Sequence, residues 1–68
     1  MQEWKVSFNA ANGSLTFFDL DMVLEFLDAV GVLLPNTSIE QELRDGEWSM
    51  VSLHRGGDEV GQLERIYI

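Results

Sequence analysis

Polar and apolar residues alternate from the start of the chain. In "EWKVSFN", Trp4, Val6 and Phe8 point one way and Glu3, Lys5 and Ser7 the other, the two-residue period of a half-buried strand. Asn12-Gly13 follows, a pair that tolerates positive φ and marks a hairpin, and "SLTFF" reads as the returning strand. The period then changes to that of a helix over residues 19 to 31. Asp19 is placed to cap its N-terminus, Asp21 suits the positive end of the helix dipole, and Gly31, with Pro35 beyond it, closes the far end. At about 100° per residue, Asp21, Glu25 and Asp28 take up only about 60° of arc. Leu20, Met22, Val23, Leu24, Phe26, Leu27, Ala29 and Val30 fill nearly all the rest. A surface helix needs an apolar stripe only a little wider than about 100°. This helix therefore calls for cover from sheet and loops, or from another chain.

The stretch "PNTSIEQELRDG" supports two patterns. Thr37 with Glu40 makes a capping box and Gly46 a C-cap, the marks of a short helix. Ile39, Gln41 and Leu43 also alternate with Glu40, Glu42 and Arg44, and Asp45-Gly46 is then a two-residue turn. That register sets Leu43 opposite Trp48 and Gln41 opposite Met50, and the match of apolar with apolar favours the strand for residues 38–44. "EWSMVSLHR" is a further strand with a change of phase: Trp48 and Met50 share one face, Val51 and Leu53 the other, which implies a bulge or burial on both faces. Gly56 to Asp58 turn the chain into the closing strand, "EVGQLERIYI". The expected architecture is ββαβββ, a single α+β domain over residues 1–68 with a mostly antiparallel sheet and one helix across a face. Leu24, Leu27, Phe26, Val6, Phe8, Trp48 and Ile66 are the expected core, and Trp4, Phe17 and Phe18 are assigned to it with the other aromatics.

Composition narrows the class of protein. Sixty-eight residues bury only about 60% of their unfolded surface, so stability is expected to be marginal. Domains of this size are commonly stapled, yet there is no cysteine, hence no disulfide and no thiolate metal site. The hydrophobic fraction of 46% excludes a disordered chain. The opening "MQEWKVSF" has neither a basic n-region nor an apolar h-region, and no run approaches the roughly 20 apolar residues that span a bilayer. A cytoplasmic protein with no membrane association is expected. Twelve acidic residues against four basic ones give a net charge of -8, which excludes nucleic acid and anionic lipid as direct partners and favours a basic protein surface.

Few residues suggest chemistry. His54 is the lone histidine, and no Ser or second His stands in catalytic spacing with it, so no catalytic residue is assigned. Asp19 and Asp21 form an Asp-x-Asp, but helix capping accounts for them and too few oxygen ligands accompany them for a metal site. The glycines of "HRGGDEVG" lack the Gly-Lys-Ser/Thr of a phosphate loop and read as a turn. No metal and no cofactor is expected, and an enzyme is the least favoured class.

The acids remain. Asp21, Glu25 and Asp28 are all of one sign on one face, so their i,i+3 and i,i+4 neighbours repel where a merely soluble face mixes signs. Carboxylates four residues apart stand roughly 6 Å apart along the axis, comparable in order to phosphates along a strand. Glu40, Glu42, Asp45 and Glu47 supply a second acidic edge. In size, charge and lack of catalytic residues the chain resembles the small acidic inhibitors encoded by phages and mobile elements, among them anti-CRISPR proteins and other DNA mimics. That resemblance covers no alignable motif and carries over no functional residue. The reading is a small non-enzymatic protein whose carboxylates Asp21, Glu25, Asp28, Glu40, Glu42 and Glu47 engage a basic partner, in its sharpest form a nucleic-acid-processing complex. The alternative is an assembly subunit that forms a homodimer with Met22, Phe26 or Ala29 at or near the seam.

Overall fold

A computed structural model describes residues 2–67. Strands β1 (Gln2–Phe8) and β2 (Ser14–Phe17) form the first hairpin, helices α1 (Leu20–Ala29) and α2 (Ile39–Arg44) follow, and β3 (Met50–Arg55) and β4 (Asp58–Tyr67) form the second hairpin. The strands make one antiparallel sheet in the order β2-β1-β4-β3, so the last strand inserts beside the first and the two hairpins become one layer. The fold is α+β, with helices packed on one face of the sheet.

Register explains which face they cover. Trp4 lies opposite Arg65, Val6 opposite Leu63, and Leu63 in turn opposite Val51, with Leu53 opposite Gly61. Directly opposed residues share a face, and this is the face where Trp4, Val6, Val51, Leu53 and Leu63 are buried against Leu20, Val23 and Leu27 of α1 and Ile39 and Leu43 of α2. Glu3, Lys5 and Ser7, with Gln62, Glu64 and Ile66, lie on the other face, where Lys5 Nζ stands 3.5 Å from Glu64 Oε1.

The helix over 19 to 31 forms much as its pattern implies. Asp19 has extended backbone angles and its side chain accepts from the Asp21 N–H at 2.9 Å. Most of the wide apolar arc is absorbed on two sides, with Met22 and Ala29 left exposed. Phe26 meets the rings of Phe17 and Phe8, with centroids 5.4 and 6.4 Å away. On the other side the connection to α2 folds back, burying Val32 and half-burying Leu34.

Residues 39–44 are a helix, not the expected strand. A spacing of four residues keeps Ile39 and Leu43 on one face whether the period is 2 or 3.6, so their burial satisfies either pattern. The helical outcome follows from the ends. Asn36 Oδ1 accepts from the Ser38 N–H at 3.0 Å and starts the turn, in place of the expected Thr37–Glu40 box. Gly46, at φ 86°, donates its N–H to the Leu43 carbonyl and takes the chain out of the helix. The change of phase in "EWSMVSLHR" resolves in consequence. Strand β3 begins only at Met50, so Trp48 belongs to the connection and is 45% exposed rather than core. Phe18, at the β2–α1 corner, is likewise outside the core at 69% exposed. Leu24, Phe26, Phe8 and Ile66 are half-buried, whereas Val6 and Leu27 are fully inside as expected. No bulge separates Met50 from Val51, where the change of phase calls for one; the irregularity in this pair lies further on, between Leu53 and His54, where the partners step from Gly61 to Glu59.

Candidate acidic interaction surface

The electrostatic design is set by four cations. Lys5 pairs with Glu64. Arg44, on the last turn of α2, reaches across to Asp21 of α1 and also to Glu40, one turn back on its own helix, at 3.3 Å. Its guanidinium pKa is raised above the ordinary arginine value, first by the Asp21 hydrogen bond and then by that to Glu40. Arg55 donates to the Val30 carbonyl at the end of α1. Arg65, 6% exposed, donates from Nη2 to the Leu43 carbonyl at 2.5 Å and lies over the Trp4 ring, 4.9 Å from its centroid. The last two close helix C-termini, where carbonyls lack partners and positive charge is favoured. Every basic side chain is thus engaged within the domain.

Three of the twelve carboxylates, Asp21, Glu40 and Glu64, meet a cation within 4.0 Å, and the other nine do not, among the described residues. Glu25 and Asp28 are exposed on the outer surface of α1. Asp21 and Glu40, drawn together by Arg44, join the α1 and α2 acids into one surface. The second acidic edge is not a unit. In a helix, Glu40 and Glu42 point about 200° apart. Glu42 faces the other way, accepting from Trp48 Nε1 at 2.7 Å, and Glu47 is exposed beyond the helix end with its N–H on the Glu42 carbonyl. Arg44 was missed as the link between the helices. Its signal was the Glu40–Arg44 spacing of four, which carries that meaning only once residues 39–44 are read as helix.

His54 has its N–H and carbonyl bridged to Leu33, a structural role at the sheet edge. No group of three or more metal-ligating side chains occurs among the described residues. No helix among them is long and apolar enough to cross a membrane.

Comparison of the chain with protein-family models, with curated proteins and with solved structures returned no match.

Proposed function

We propose that this protein is a small acidic binding protein, not an enzyme, whose α1–α2 carboxylates engage a basic protein surface. The observation that carries this reading is the internal engagement of all four cations, which leaves Glu25 and Asp28 unpaired beside the Asp21–Arg44–Glu40 cluster. In its sharpest form the target is a nucleic-acid-processing complex, and the carboxylates occupy a groove that otherwise holds phosphates. Glu42 and Glu47 contribute at a separate edge of the same partner.

The test uses a partner captured at low salt from the cytoplasm of the source cell. Affinity is expected to fall steeply with salt, since exposed charges are screened beyond about 8–10 Å at 0.10–0.15 M. Double-stranded DNA is expected to compete. Glu25→Lys with Asp28→Lys should weaken binding tenfold or more, chiefly through slower association, with the melting temperature unchanged. Asp21 is left out because its reversal would set a lysine against Arg44 and confound binding with stability. Salt-independent affinity, or an unaffected double variant, would refute the reading.

A second reading, a homodimeric assembly subunit, is favoured by one observation. Strand β2 is an open sheet edge, its residues Ser14 to Phe17 carry no charge, and its Leu15 is exposed together with the neighbouring Phe18 and Met22. Uncharged edges invite pairing with another strand, and a copy of equal charge approaches most easily where there are fewest acids. Phe26, expected near the seam, is instead packed against Phe8 and Phe17. A dimer mass by light scattering that reverts to monomer in Leu15→Lys would support this reading, and a monomer mass at every concentration would end it.

A further inference from the structure

Between the C-terminal half of α1 and the connection leading into α2 lies a groove of about 390 Å³. Leu24 and Leu27 of α1 and Val32 and Leu34 of the connection form its apolar floor, and Asp28 and Glu40 stand among its walls. We infer that this groove docks an amphipathic basic segment of a partner protein, an apolar side chain entering the floor while flanking lysines or arginines meet Asp28 and Glu40. The inference rests on the acidic-binding reading and assigns it a place and a peptide chemistry.

Charge selects this occupant over others. Asp28 has no cation partner, and the nearby Arg44 is already held by Asp21 and Glu40. A neutral apolar segment would cover Asp28 with nothing to replace its water, which is unfavourable for a charged group. A second copy would bring its own carboxylates to the same place. A purely charged segment would leave the floor wet and gain nothing from burying it. A segment with both characters satisfies rim and floor together.

Two end-capped peptides of equal length and charge separate the contributions, one alternating lysine with leucine and the other lysine with serine, each titrated into the ¹⁵N-labelled protein at low salt. The lysine–leucine peptide should bind about tenfold more tightly or better, since one buried leucine suffices for that factor. Its amide shifts should concentrate at residues 24–28 and 32–40. Leu34→Ser should bring the two affinities together while leaving the lysine–serine peptide unaffected, and Asp28→Lys should weaken both. Equal binding of the two peptides, or leucine-dependent shifts centred instead on Leu15, Phe18 and Met22, would overturn the groove while leaving acidic binding intact. Failure of both peptides to bind would overturn the two readings together.

Discussion

Gly61→Ala is expected to unfold most of the protein at room temperature. Gly61 sits in β4, between Phe8 of β1 and Leu53 of β3, with strands on both sides. A Cβ there would lie deep inside the van der Waals radius of the Ser7 carbonyl oxygen and 3.1 Å from Phe8 Cα. These are backbone atoms, so no rotamer change relieves the contact. The neighbouring bulge adds to the constraint. Val60 is passed over in the pairing with β3 while its carbonyl accepts from the Asn9 N–H at 2.9 Å, which holds β1 and β4 close at this point. Overpacking ordinarily costs about 1–3 kcal/mol, occasionally more, and a collision between paired strands belongs at or beyond the top of that range. A domain this small holds roughly 3–5 kcal/mol in all. Circular dichroism and an amide correlation spectrum at 25 °C test the expectation. A melting temperature within about 4 °C of the parent, equivalent to less than about 1 kcal/mol, would show that β1 recedes freely from β4.

The sequence groups Gly61 with the turn glycines of "HRGGDEVG", whereas it lies inside β4; its role is a close approach between residues far apart in the chain, and periodicity carries no information on that. Features whose cause is local were readable. Asp19 caps α1, the turn at Gly56 and Gly57 joins β3 to β4, and Trp4 and Val6 face the core as their alternation implies. Features in which two local patterns coincide were not. Ile39 and Leu43 suit a strand and a helix equally, and the choice rests on Asn36 and Gly46 at the ends of α2 together with the face that α1 leaves uncovered. That one choice decided the candidate surface. As a strand, residues 40–44 would put Glu40, Glu42 and Arg44 on a single face; as a helix they separate Glu42 from Glu40 and bring Arg44 to Asp21. The acids of α1 were identifiable from their spacing, but the helix beside them that makes them part of a larger surface was not. Trp48 is expected in the core from a strand register opposite Leu43, and the helix at 39–44 removes that register; its indole N–H, which bonds Glu42, marks it as a residue with one polar end at the surface.

Arg65 illustrates a different compensation in a domain without disulfide or thiolate. A guanidinium beneath the end of α2 is costly to bury. It is retained where a helix end offers a carbonyl and Trp4 offers a ring face. The same side chain ties β4 to α2, and through Leu43 to the core. Arg55 does the corresponding work for α1 from β3. Both helices are thereby fastened to the second hairpin by arginine, with the hydrophobic core beneath them.

That core should be most sensitive at Leu27. The side chain is 2% exposed, belongs to the inward stripe of α1 with Leu20 and Val23, and its carbonyl accepts from the Val32 N–H at 2.9 Å where the connection folds back. Removing a buried leucine beyond Cβ costs about 2–5 kcal/mol, according to how far the site collapses. Collapse is limited here because the floor is a hydrogen-bonded sheet that does not follow the missing atoms. Leu27→Ala should therefore lower the melting temperature by about 8 °C at the least. Met22→Ala is the matched control on the same helix. Met22 is 55% exposed, alanine is the better helix former, and a change within about 0.5 kcal/mol is expected. Urea denaturation of the two variants gives the comparison directly. If Met22→Ala proved as costly as Leu27→Ala, the flank beside β2 would be buried in solution, and the dimeric reading would gain over a monomer whose only partner is basic.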